Sequence, residues 1–149
     1  MEKNAEVLND LIKINNDRIK GYEKAAKETN AKDADLRALF TDMATESRRY
    51  AEQLESHLAG RGPSPDGDST TSGSIYRAWM DVKALFTGKD RKAILASCEY
   101  GEDAAQKAYE SALKETELSP EIRQVITDQK AKLRRSHDTI KRMRDTQPA

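Results

Sequence analysis

YEKAAKET (Tyr22–Thr29) returns 87 residues later as YESALKET (Tyr109–Thr116), with six of eight positions identical. A second match follows at an offset of 86. LRALFTD (Leu36–Asp42) and IRQVITD (Ile122–Asp128) share Arg, Thr and Asp and carry apolar residues at the same three places. Arg48-Arg49 falls on Arg134-Arg135 in that same register. The offset changes by one between the two matches, where a turn can absorb a deletion. Self-similarity at a fixed spacing is the mark of repeated architecture. The reading is a duplicated helical hairpin, helices 1 and 2 matching helices 3 and 4.

Each repeat unit reads as helix. Over residues 4–29, Val7, Leu8, Leu11, Ile14, Ile19, Tyr22, Ala25 and Ala26 recur at three- and four-residue steps, with Asn4 as a candidate cap. Residues 34–59 follow behind Asp33 as N-cap and place Leu36, Leu39, Phe40, Met43, Tyr50, Leu54 and Leu58 on one face. Gly60, Gly62, Pro63 and Pro65 stop that helix. A solvated Gly/Pro/Ser/Thr-rich stretch, Ala59–Ser74, leads to a short amphipathic helix at 75–87 bearing Ile75, Tyr76, Trp79, Val82, Leu85 and Phe86. Asp90 caps a helix over 90–116, and Ser119-Pro120 opens another over 120–144. No segment alternates with period two, so the fold class is all-α, a single domain over residues 1–149. Two antiparallel hairpins joined by some 30 residues allow a connection running the full length of a bundle, about 39 Å for a helix of roughly 26 residues. The predicted architecture is a ferritin-like four-helix bundle whose long crossover carries the short helix.

Composition narrows the function classes. The chain has 149 residues, 35% charged and 36% hydrophobic, with Lys plus Arg and Asp plus Glu equal at 26 each. That balance disfavours a nucleic-acid binder. The basic residues of the last helix, Lys130, Lys132, Arg134, Arg135, Lys141, Arg142 and Arg144, face an acidic helix 3, so intramolecular pairing accounts for both. No apolar run reaches the ~20 residues of a membrane span, and MEKNAEVLND does not read as a signal peptide. The single cysteine, Cys98, excludes an intramolecular disulfide and suits a reducing cytoplasm. Its alignment with Leu11 predicts burial. No Gly-rich phosphate loop, nucleophile elbow or Cys/His zinc spacing is present.

The strings LNDLIKINNDRIKGYEKAAKET, YRAWMDVKALFTGKD and CEYGEDAAQKAYESAL, followed by SHDTIKRMRD, resemble an uncharacterised bacterial family of small four-helix-bundle proteins. That family is a domain of unknown function placed in the ferritin-like superfamily. The resemblance spans nearly the whole chain and implies the ferritin-like fold; it brings no established activity.

The superfamily's di-iron chemistry needs a Glu from each of two helices and Glu-x-x-His from each of the other two. Helix 2 offers Glu46, but Arg49 stands where the histidine belongs, and the repeat equivalents in the last helix are Lys132 and Arg135. The helix 1 position falls on Asn15 or Asn16, and Asn15 matches Glu102 in the repeat. His137 comes level with Glu99. The candidate metal residues are therefore Glu46, Glu99, Glu102 and His137, with iron or another divalent metal as the cation of this alternative. The competing expectation is no cofactor, with these carboxylates paired to Arg48, Arg49, Arg134 and Arg135 at mid-bundle or all of them solvated on the outer faces.

The remaining residues read as structural. His57 belongs in the last turn of helix 2, favourable to its charged form. Tyr22 and Tyr109 are repeat mates expected to pack with their hydroxyls on polar partners. Ile12 and Ile19, on the outer side of helix 1, offer a surface for a homodimer or protein partner, or one that the crossover helix covers. The leading functional expectation is a non-catalytic cytoplasmic scaffold or interaction protein with a degenerate ferritin-like metal site. The alternatives are a residual metal-binding or di-iron oxidase-like protein, and a small-ligand pocket under the crossover helix near Trp79.

Overall fold

A computed structural model describes residues 2–29, 31–59 and 91–146. Four long helices account for nearly all of them: α1 (Glu2–Glu28), α2 (Ala34–Leu58), α3 (Arg91–Leu113) and α4 (Pro120–Asp145). A single 3₁₀ turn, Ala31–Asp33, precedes α2. Among the described residues the protein is an all-α four-helix bundle, as the spacing of its apolar residues predicts. The short helix expected at 75–87, with Trp79, the pocket beneath it and the Asp90 cap, lies outside the described residues.

Alternating four- and three-residue steps set which face of each helix turns inward. In α1 these steps run Asn4, Leu8, Leu11, Asn15, Arg18, Tyr22, Ala25, and every one is buried. In α2 they run Leu36, Phe40, Met43, Ser47, Tyr50, Leu54, again all buried. Shifted by 87, the α1 series from Leu8 onward gives the buried Leu95, Cys98, Glu102, Ala105, Tyr109 and Ala112 of α3, while Asn4 falls on the half-buried Arg91. Shifted by 86, the α2 series gives Ile122, Ile126, Gln129, Leu133, Ser136 and Ile140 of α4, all buried as well. The two hairpins thus bury corresponding positions.

Side-chain pairs fix the helix directions. Lys3 meets Glu115 while Arg18 meets Glu102, so α3 runs antiparallel to α1. Glu46 meets Ser136, Gln53 meets Gln129 and His57 meets Glu121, so α4 runs antiparallel to α2. Arg91 at the start of α3 pairs with Asp33 and Asp35 at the start of α2. Consequently α2 and α3 are parallel, and Leu58 and Arg91 lie at opposite ends of the bundle. That placement of the described helices is incompatible with up-down-up-down order.

Several local expectations need correction. Asn4 does not cap α1, which begins at Glu2; instead its Oδ1 accepts the Ser119 backbone N–H at 3.0 Å, tying α1 to the start of α4. Asp33 stands at the N-cap of α2 without a side-chain cap bond, because its carboxylate turns to Arg91. Helix α3 ends at Leu113, short of Thr116, and the Arg123 guanidinium collects the Leu113 and Glu115 carbonyls beyond it. Ile12 is buried and belongs to the core, so it presents no outward surface. The Ser119-Pro120 start is as expected, with Ser119 Oγ accepting from the Ile122 N–H at 3.4 Å.

The core divides in two. One apolar cluster gathers Leu8, Leu11, Leu54, Tyr109, Ile122 and Leu133 around the α1 N-terminal end. The other gathers Tyr22, Leu36, Phe40, Leu95, Cys98 and Ile140 at the end where α2 begins. Between them lie buried polar side chains from all four helices: Asn15, Arg18, Ser47, Glu102, Gln129 and Ser136.

Candidate functional site

This polar belt is organised around Arg18. The guanidinium is fully buried and reaches two other helices directly, α3 and α2, and the third, α4, only through Glu46. Its Nε and Nη2 both lie 2.8 Å from Glu102 Oε2 on α3. Nη1 donates to Ser47 Oγ at 2.7 Å and to the Met43 carbonyl at 3.1 Å on α2. Nη2 also sits 3.8 Å from Glu46 Oε1, which in turn accepts from Ser136 Oγ of α4 at 3.0 Å. The plane of the cation lies 5.1 Å from the centre of the Tyr22 ring. Burial by itself would pull the Arg18 proton affinity down, but Glu102, ahead of Tyr22 and Glu46, carries it above the ordinary value.

Two tyrosine hydroxyls close the belt. Tyr22 donates to Glu102 Oε2, the same oxygen that takes both Arg18 donors, while Glu102 Oε1 has no hydrogen-bond partner among the described residues. Asn15 Nδ2 donates to the Tyr109 hydroxyl at 2.9 Å, and that hydroxyl donates to Gln129 Oε1 at 2.7 Å. Asn15 corresponds to Glu102 and Tyr22 to Tyr109 in the two hairpins, so each hairpin's tyrosine bonds the other hairpin's polar residue. Burial, then the charge of Glu102, pushes the Tyr22 hydroxyl well above the usual phenol range. Burial does the same to Tyr109, against a lowering by the Asn15 amide. Cys98 is buried, as its alignment with Leu11 predicts, and burial followed by Glu102 raises its thiol well above the usual range. A raised thiol is a poor nucleophile at neutral pH.

The four residues expected from sequence to share one metal centre fall in two places. Glu46 and Glu102 face the Arg18 guanidinium. Glu99 and His137 lie together between α3 and α4, with Nε2 of His137 3.9 Å from Glu99 Oε1. There they are joined by Asp103, whose Oδ1 lies 2.6 Å from the same Nε2. The mid-bundle geometry does not fit a di-iron pair, because a fixed cation already stands between the two carboxylates that would bridge it. The cations expected to compensate Glu46 and Glu102, Arg48, Arg49, Arg134 and Arg135, are all exposed. Arg48 pairs with Glu23 and Arg134 with Asp138 on the surface. Arg49 and Arg135 border an open groove of about 530 Å³ between α2 and α4, beside Asp42, Glu46 and Lys132.

Arg18 and Asp103 are the residues that sequence reasoning missed. For Arg18 the signal was its register: it stands four residues from both Ile14 and Tyr22, on the inward face, although a charged residue there reads as solvated. Asp103 lies one turn beyond Glu99, and only the placement of His137 gives it significance. Elsewhere His57 lies in the last turn of α2, with Nδ1 3.2 Å from Glu121.

No helix among the described residues is long and apolar enough to cross a membrane. A family model described as a domain of unknown function (DUF2383) matches residues 3–115, covering α1, α2 and α3. No curated protein matches the chain.

Proposed function

The chain belongs to this family of unknown function, and on that footing we propose that it is a helical scaffold with no mid-bundle metal centre, its mid-bundle cation being its own Arg18. In this reading it is a bacterial, cytoplasmic member of the ferritin-like superfamily, built by duplication of a helical hairpin. The observation that carries the reading is the fully buried Arg18 guanidinium held by Glu102 with Glu46 beside it. A di-iron centre works because carboxylates surround cations whose charge changes; a guanidinium supplies a charge that does not change. The belt then contributes specificity of packing rather than redox chemistry. Parallel placement of α2 and α3 supports the superfamily assignment, and the matching buried positions at offsets of 87 and 86 support the duplication. Activity is assigned to association through the polar helix faces, with itself or with a protein partner. Tyr100 is the exposed large apolar side chain of the described surface, so such an interface is mainly polar.

The test is anaerobic titration of the full chain with ferrous iron, followed by air exposure and elemental analysis after desalting. We expect iron oxidation at the rate of buffer alone and no iron retained through Glu46 or Glu102. Stoichiometric iron that disappears in Glu46→Gln or Glu102→Gln would overturn the reading. Sedimentation velocity over a wide concentration range reads self-association; a strictly monomeric protein would leave a different partner as the only route for the scaffold.

A further inference from the structure

We propose that Glu99, Asp103 and His137 form a binding site for one divalent transition-metal ion on the α3–α4 side of the bundle, with Zn²⁺ as its representative. Glu99 and Asp103 are four residues apart on α3, so both carboxylates project from one face. His137 enters from α4 and its ring is buried. One oxygen from each carboxylate and one imidazole nitrogen lie within 4.8 Å of one another. In a tetrahedral zinc site with bonds near 2.1 Å, ligand atoms stand roughly 3.4 Å apart. His137 Nε2 to Asp103 Oδ1 is 2.6 Å and to Glu99 Oε1 is 3.9 Å, which brackets that spacing. Small side-chain rotations bring all three to bonding distance. Asp103 is half exposed, so the fourth position opens to solvent and takes water.

Two neighbours make this more than a group of acids. Asp138 Oδ1 lies 3.1 Å from His137 Nδ1. A carboxylate there fixes the ring and holds the proton on Nδ1, which presents the Nε2 lone pair to a metal. Arg144 pairs with Glu99 Oε2, leaving Oε1 turned toward His137. Arg144 therefore orients Glu99 while its positive charge opposes a second cation nearby. The donor set of one imidazole and two carboxylates suits zinc and its first-row neighbours better than Mg²⁺ or Ca²⁺, which favour oxygen alone. The site is separate from the belt around Arg18 and stands independently of the scaffold reading.

The experiment is zinc titration of the full chain against a chromophoric chelator near neutral pH. The expected stoichiometry is one Zn²⁺ per chain. Asp103→Asn and His137→Ala should each weaken binding at least tenfold, and Asp138→Asn about tenfold, the scale of losses on removing such a histidine partner. His57→Ala, the chain's other histidine, should leave affinity unchanged. Circular dichroism accompanies each variant; if His137→Ala loses its helical signal, the half-exposed Asp103→Asn carries the decision. Absence of stoichiometric zinc, or zinc that follows His57 or ignores Asp103, overturns the site. Zinc lost in Glu46→Gln but not in Asp103→Asn would put the ion at mid-bundle, overturning both this site and the scaffold reading.

Discussion

Arg18 sets the energetics of the polar belt at the scale of single residues. Taking a guanidinium and a carboxylate out of water is costly, and each is tolerable only because the other is present. Glu102 is fully buried opposite it, so truncating Arg18 leaves an uncompensated charge between two apolar clusters. Arg18→Met is expected to destabilise the protein by about 3–5 kcal/mol in urea unfolding, the range for breaking one side of a buried pair. The double variant Arg18→Met/Glu102→Gln removes both charges and keeps an acceptor for the Tyr22 hydroxyl. It should cost less than the sum of the single changes, by roughly 1–3 kcal/mol of coupling. Additive losses would mean that the two side chains do not depend on each other. The same residue marks where sequence reading stopped. Periodicity ranks positions by apolarity, so it passed over Arg18 and looked for mid-bundle cations among the arginine pairs, which are exposed. Inward register was legible; the partner that makes a charge acceptable inside was not, since Glu102 lies 84 residues away in the chain.

Helix ends decide how the elements are joined. The Asn4 side chain bridges two helices by accepting the Ser119 N–H, so Asn4→Ala should cost about 1 kcal/mol, comparable to an ordinary net hydrogen bond. Ser119→Ala removes the cap on α4 and should cost a similar amount, about 0.5–2 kcal/mol. Thermal unfolding of both variants reads these losses, and a null effect for Asn4 would show that its bond to Ser119 adds nothing to the joining of α1 and α4. At the other end of the bundle, Arg91 links the starts of α2 and α3 through Asp33 and Asp35. The Arg91 hydrogen bond holds the Asp35 carboxyl down to about 2, below its ordinary 3.8. A depressed folded value means the stabilisation is present above 3.8 and is lost as pH falls from there toward about 2. Arg91→Gln should therefore flatten the acid limb of the stability profile over that window; an unchanged limb would show the pair to be screened away. Element boundaries were legible to within a few residues because caps and breakers are local. Asn4 failed as a cap for a non-local reason: its partner belongs to α4.

Across the whole molecule, the likeness of YEKAAKET to YESALKET pointed to two helical hairpins, and the described helices run as two hairpins with α2 and α3 parallel. The candidate site was legible only in fragments: four candidate metal residues were named, but the bundle sends two to Arg18 and two to Asp103. One consequence belongs to the fold as a unit. Tyr22 and Tyr109 bond across the two hairpins, and Tyr50 is buried beside them. Burial raises all three, Tyr50 to about 12. A raised folded value means the neutral phenol is favoured in the native state, so the stabilisation is whole below the unfolded value of about 10 and falls as pH rises beyond it. Each deeply buried tyrosine then withdraws about 1.4 kcal/mol per pH unit, and Tyr22 with Tyr109 about 3 kcal/mol by pH 11. That is a large part of a stability of order 5–15 kcal/mol. Alkaline unfolding should thus be cooperative, with tyrosinate absorbance from the buried rings rising together with loss of helical circular dichroism. The double variant Tyr22→Phe/Tyr109→Phe should be less stable at neutral pH, by about 1 kcal/mol per lost hydrogen bond, yet unfold at higher pH than the parent. An alkaline midpoint that moves down with the neutral-pH stability would show that the belt's hydroxyls do not govern this limit.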